Sequence, residues 1–215
     1  MNKYKLVVLA LLVLLMGALA FGAWWLNRNL DGLAAQALRD YGSAMTGARV
    51  QVESVQLQAT SGHGAIMHLV VGNPAGFATE HALSVERIEL DIEASSLASP
   101  VVTIERVRIV QPKLIYEKAN GTTNLETIVR NINRYLGPGS ASTTPRRFIV
   151  RELRISDAKV QASAGFMLGH TVGMKLPDIV LKEVGSKQGG LTAGELGQTV
   201  AKALLAKIQA SWRLF

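Results

Sequence analysis

His63 and His68 stand five residues apart, His81 and His170 are distant from them and from each other, and no cysteine accompanies them anywhere in the 215-residue chain. Imidazoles serve as metal ligands and as general bases near neutral pH, but these four need the fold to gather them before they can act together. Neither His-Glu-x-x-His nor Gly-x-Ser-x-Gly nor a Walker-type Gly-Lys-Ser/Thr occurs, and Gly137-Pro138-Gly139 lacks the lysine and the strand-to-helix setting of a phosphate loop. The missing cysteines remove disulfides, thiol nucleophiles and thiolate metal sites. The residue types thus point away from catalysis, and no catalytic, metal or cofactor site is expected.

The densest cationic cluster is Arg146 and Arg147 with Arg151 and Arg154 close behind. Guanidinium groups pair with phosphate and carboxylate, so Arg146, Arg147 and Arg151 are candidates to meet lipid headgroups or an acidic partner surface. No aromatic residues interleave with them as stacking platforms, and a nucleic-acid role is not expected. The formal net charge is +7, or +5 once Lys3 and Lys5 are set apart, a balance that favours anionic surfaces.

Those two lysines introduce an apolar run from Leu6 to Leu26 that contains no charged side chain. As a helix it measures about 30 Å, the thickness of a bilayer's hydrocarbon core. Trp24 and Trp25 close the run with the indoles that headgroup layers favour, and the lysines before it orient the amino terminus to the cytoplasm. Ala18-Leu19-Ala20 offers a signal-peptidase site, but the apolar stretch continues past it, so a retained single span over residues 1–26 is expected.

Beyond the span, Leu30, Leu33, Ala34, Ala37, Leu38 and Tyr41 share one helix face, predicting an amphipathic stalk over 27–47. The period then falls to two. Val50 and Val52 are followed by Val55 and Leu57 one step out of phase, which marks a bulge or turn near Glu53-Ser54. One-sided alternation recurs in Ile66–Val71, in Ile88, Leu90 and Ile92, in Val107 and Ile109, and in Leu114 and Tyr116 beyond Pro112. It recurs again in Leu153 and Ile155, then on either side of Pro177 in Met174, Leu176, Ile179 and Leu181. Pro112 cannot donate to a ladder and should sit at a bulge or an edge. Asn120-Gly121-Thr122 reads as a turn.

Thr123-Asn124-Leu125-Glu126 has the Thr-x-x-Glu form of a capping box, and Leu125, Ile128, Val129, Ile132 and Leu136 follow on one face, giving a helix over 124–136 stopped by Gly137-Pro138. Residues 137–147 form a Gly, Ser, Thr and Pro-rich loop. A second helix runs from about Ala193 to Trp212, with Leu196, Val200, Leu204 and Ile208 in one row. Core packing, a membrane surface or the end of a groove would each satisfy that row.

Several of these segments carry a family likeness. Tyr41 to Val50, Val55-Gln56-Leu57, Ser61-Gly62-His63-Gly64 and Gly72-Asn73-Pro74-Ala75-Gly76-Phe77, just after a span, resemble the beginning of AsmA-like proteins. Ile88 to Ile92, Val107 to Glu117, Thr123 to Glu126 and Leu176 to Leu181 look like the strands and connecting helix that follow in that family, in the same order. AsmA-like proteins are similar to TamB and to bridge-like lipid transfer proteins. The resemblance implies a bacterial inner-membrane anchor, a periplasmic main domain, and phospholipid movement or support of outer-membrane lipid homeostasis and assembly.

The expected fold is therefore a β-rich α+β arrangement. A transmembrane helix precedes a twisted, mainly antiparallel, half-open β-groove at 48–190, with one inserted helix and a C-terminal amphipathic helix at 191–215. Ile88, Leu90, Ile92, Val107, Ile109, Leu153 and Ile155 are the expected lipid-facing residues. Seven or eight strands build only about 30 to 40 Å of groove, shorter than the family's full-length members, so a partner protein or further copies would be needed to extend it. The alternative expectation is an anchored structural or adaptor subunit whose sheet is shut and which docks a partner protein.

Overall fold

The computed structural model of the protein describes residues 31–58, 60–137, 146–164 and 172–212. The apolar run Leu6–Leu26, the tryptophans at 24 and 25, His170 and most of the loop after Gly137 lie outside them. Among the described residues no helix is long and apolar enough to cross a membrane.

Helix α1 covers residues 31–46. Strands β1 (Val50–Gln58), β2 (His63–Val71) and β3 (Leu83–Ile92) form an antiparallel meander. Next come β4 (Val101–Val110), β5 (Lys113–Ala119), the two-residue β6 (Thr122–Thr123) and helix α2 (Asn124–Tyr135). The chain ends with β7 (Arg147–Ser156), β8 (Lys159–Ala164), β9 (Val172–Lys175), β10 (Ile179–Val184) and helix α3 (Ala193–Trp212). Among the described residues all ten strands belong to one sheet, giving a β-rich α+β fold with three α-helices.

The sheet is mainly antiparallel, as expected, and two parallel pairings make it mixed. β4 pairs with β7 and β5 with β8 in parallel, while every other pairing is antiparallel. Parallel neighbours need a crossover, and α2 lies in the connection that returns the chain beside β4 and β5. A helix inserted between strand runs was the sequence signal for this.

β4 and β5 are one long strand broken at Gln111-Pro112, and β7 and β8 one strand broken at Asp157-Ala158. β9 and β10 are separated in the same way at Leu176-Pro177-Asp178. The breaks are in register. Gln111 N donates to Ser156 O, Lys159 N to Pro112 O and Leu176 N to Ala158 O, each within 2.9 Å. The line continues into the meander, where the ladders skip Glu53, His68 and Glu86 between flanking pairs. His68, Gln111 and Asp157 all adopt left-handed backbone, with φ of 47°, 53° and 54°. Together they make a crease across the whole sheet.

A second crease lies six residues away. It passes through Gly62, the register shift at Asp91/Ile92, the ion pair between Arg151 and Glu105 at 3.0 Å, and Glu183, whose φ is 51°. At Gly62, with φ 74°, an added Cβ would lie 1.9 Å from the carbonyl oxygen of Ile92, so this turn accepts glycine alone.

The creases explain the phase slip seen at Val52 and Val55. Residues two apart bury one face of a flat strand, and each crease adds an extra residue that would otherwise turn the following side chains outward. The buried series accordingly steps by three there: Val52 to Val55, Val85 to Ile88, Ile104 to Val107, Val150 to Leu153, Ile155 to Ala158 and Leu176 to Ile179. One apolar face is thereby kept across bent strands.

Candidate functional site

The apolar face is the candidate site. Ile88, Val107, Leu153 and Ile155 are buried in it, and Leu90, Ile92 and Ile109 are half-buried against the same cluster. All seven residues singled out from the sequence thus share one face. That face is covered. Leu125, Ile128 and Ile132 of α2 and Leu204 and Ile208 of α3 belong to the same buried cluster, with Ile208 at 0% exposure. The row Leu196, Val200, Leu204 and Ile208 therefore packs into the core, and α3 begins with a capping box of its own between Thr192 and Glu195. Two surface clefts of about 410 and 480 Å³ lie beside β10 and α3 rather than on the seven residues.

A buried polar hub, built from residues too far apart in sequence for local pattern to link, holds α2 against this face. Asn124, 0% exposed, donates to Asn73 Oδ1 (2.8 Å) and Ile115 O (2.7 Å) and accepts from the backbone N–H of Glu117 (3.1 Å) and Leu125 (2.9 Å). Asn73 in turn donates to Thr79 O and Thr79 Oγ1. The carboxylate of Glu117 accepts from the N–H groups of Ala78 and Thr79 and from the Thr79 hydroxyl, at 2.7 to 3.1 Å. Gly72-Asn73-Pro74-Ala75-Gly76-Phe77 and Thr123-Asn124-Leu125-Glu126, two segments of the family likeness, are thus tied by a hydrogen bond across fifty-one positions of chain. Leu114 and Glu117, three apart, are both buried, whereas the alternation read from the sequence pairs Leu114 with Tyr116 and gives no signal for this carboxylate.

Burial works to raise the Glu117 carboxyl pKa, but the Thr79 hydroxyl and the two N–H donors outweigh it and hold the group below its ordinary value. The stabilisation given by ionised Glu117 is therefore complete above that ordinary value, 4.5, and is lost as pH falls through the lower folded-state value. Urea midpoints measured across acidic pH should fall along that window. Glu117→Gln should flatten the slope and cost about 1.5 to 3 kcal/mol at neutral pH. An unchanged slope in the variant would remove Glu117 as its source.

The outer face is occupied by ion pairs. Asp91 bonds His63 (2.8 Å), Arg106 (2.9 Å) and Arg108 (3.2 Å), Glu89 meets Arg87 at 3.0 Å, and Arg154 lies between Glu152 and Asp178. Desolvation opposes ionisation of Asp91, but His63 and the two guanidiniums still hold its carboxyl below the usual range. His68 bridges Glu53 and Glu86 with 2.6 Å contacts across three strands, while His81 sits 3.8 Å from Glu80. These three histidines are dispersed over the fold, and His170 lies outside the described residues. The predicted headgroup arginines are all exposed: Arg151 pairs with Glu105, Arg147 donates to the carbonyl of Gly190 (3.0 Å), and Arg146 stands just before β7.

The two sheet edges differ. β1 is sealed by α1, whose Ser43 Oγ accepts from Val50 N (2.8 Å), Arg39 donates to Val52 O (2.8 Å) and Asp31 accepts from Leu57 N (2.9 Å). β10 pairs only with β7 and β9 only with β8 among the described residues, so their outer edge is unpaired by any other strand. Val180, 39% exposed, lies on that edge beside the cleft lined by Ile179, Leu181, Ala203, Ala206 and Ala210. Neither a scan of family models nor a comparison with curated proteins returns a match to this chain.

Proposed function

We propose that this protein is a membrane-anchored, periplasmic module of AsmA-like type that acts as a structural or adaptor subunit at the bacterial inner membrane. The observation that carries this reading is the packing of α2 and α3 into the apolar cluster, which buries Ile88, Val107, Leu153 and Ile155 and leaves Leu90, Ile92 and Ile109 half-buried. With one sheet edge capped by α1 and the other unpaired among the described residues, the β9–β10 edge is the place for a partner protein, or a second copy, to add an extended strand. The Leu6–Leu26 run supports the single span, with the amino terminus in the cytoplasm.

The second reading is a phospholipid-handling module serving outer-membrane lipid homeostasis. It is favoured by the incomplete cover over Leu90, Ile92 and Ile109, which leaves room for acyl chains if α3 moves. A photo-crosslinking amino acid at Leu90 in living cells separates the two. The adaptor reading expects adducts within the chain, to α2 or α3, whereas phospholipid attached at Leu90, identified by mass spectrometry, would replace it with lipid handling.

A further inference from the structure

The amphipathic helix α1 packs the opposite way to its sequence pattern. Of the predicted apolar face, Leu33, Ala37 and Leu38 point away from the sheet, with Leu33 48% and Leu38 37% exposed, while Ala34 packs against the β1 cluster and the Tyr41 ring meets Tyr135 of α2 edge-on at 5.4 Å. The face turned to β1 carries Asp31, Ala35, Arg39 and Ser43, one per turn. Three of these satisfy backbone groups of the edge strand, and Ala35, 4% exposed, lets the helix approach Val50, Val52 and Val55 closely. Sealing a β edge requires side chains that hydrogen-bond, so it claims the polar face of the helix and leaves the apolar face outward.

That outward stripe also has a fixed address. Only Asn27-Arg28-Asn29-Leu30 separates the end of the apolar run at Leu26 from Asp31, the first described residue of α1, and four residues reach at most about 14 Å even when fully extended. An anchored chain therefore holds Leu33 within reach of the bilayer surface. A stripe of leucine and alanine on one side of a helix is the chemistry that an acyl-headgroup boundary accepts, typically to a depth of roughly 5 to 10 Å. We infer that α1 is an interfacial helix, with Leu33, Ala37 and Leu38 seated in the membrane while Asp31, Arg39 and Ser43 grip β1. The bilayer and the sheet would then sandwich α1 and fix the distance and tilt of the whole domain relative to the membrane. The inference rests on the proposed anchor.

The chain has no cysteine, so single labels are straightforward. An environment-sensitive fluorophore is placed at L33C, L38C, Q36C or V110C in the full chain, reconstituted into phosphatidylethanolamine and phosphatidylglycerol vesicles with brominated acyl chains. Val110, 49% exposed on β4, is an apolar control remote from α1. The expected result is blue-shifted emission and several-fold stronger quenching at Leu33 and Leu38 than at Gln36 and Val110. Equal quenching at all four sites in protein that floats with the vesicles would overturn the interfacial helix and leave the anchor standing. Protein that does not float would overturn the anchor, and the inference with it. Disulfide-linked L33C dimers without lipid quenching would overturn it in favour of a second copy of the chain.

Discussion

Replacing Asn124 with leucine should cost this protein about 4 kcal/mol, roughly a 10 °C fall in thermal midpoint for a domain of this size. The side chain has the same branching and is somewhat larger, but it cannot hydrogen-bond. Asparagine offers two donors and two acceptor lone pairs, and Asn124 uses all four, on Asn73, Ile115, Glu117 and Leu125. Leucine leaves those four partners without Asn124, in a place from which water is excluded. The loss should also be shared with Asn73. In a double-mutant cycle, Asn73→Ala and Asn124→Leu together should destabilise less than their separate effects added, by about 1 kcal/mol or more. Melts followed by circular dichroism measure both. A single-variant loss under about 1 kcal/mol, or strict additivity, would mean that the hub does not carry the junction between the loop after β2 and α2.

Ile208→Asp tests the lid. Ile208 of α3 is fully buried in the apolar cluster that the helix shares with the sheet, and a carboxylate there would lie among apolar side chains without a partner. The helix should leave the sheet instead of burying the charge, at a cost of about 3 to 5 kcal/mol, whereas Ile208→Val should cost only about 1 kcal/mol. Hydrogen exchange should show α3 losing protection while β3, β4 and β7 keep theirs, accompanied by binding of a hydrophobic dye to the uncovered face. Unchanged exchange in α3 would contradict its role as the cover. Loss of protection throughout the sheet would mean that α3 is part of the folding core and not a separable lid. If α3 opens alone, co-purification of phospholipid with the variant asks directly whether the uncovered face accepts acyl chains.

Much of the fold was legible because period and capping are local properties. Thr123 and Glu126 close the capping box that their spacing announced, α2 ends at Tyr135 against an expected 136, and α3 spans Ala193–Trp212 as its periodicity required. Asn120 and Gly121, with φ of 51° and 77°, make the turn between β5 and β6. Pro112 and Pro177 mark breaks because neither can donate to a ladder. The slip after Val52 was visible as well. What the sequence could not show is that this slip, Gln111, Asp157 and Pro177 fall in one line, since alignment across strands depends on register between segments tens of residues apart.

The same division runs through the candidate site. Composition and alternation by themselves determined a β-rich domain with an apolar sheet face, an apolar run long enough to span a bilayer and an amphipathic helix after it, because each follows from side chains within a few turns or one strand. Only the tertiary structure decided which face each helix turns inward. Leu204 and Ile208 close the sheet because an apolar surface is driven out of water, whereas α1 gives its polar side to β1 because unpaired backbone groups at an edge need hydrogen bonds more than they need apolar cover.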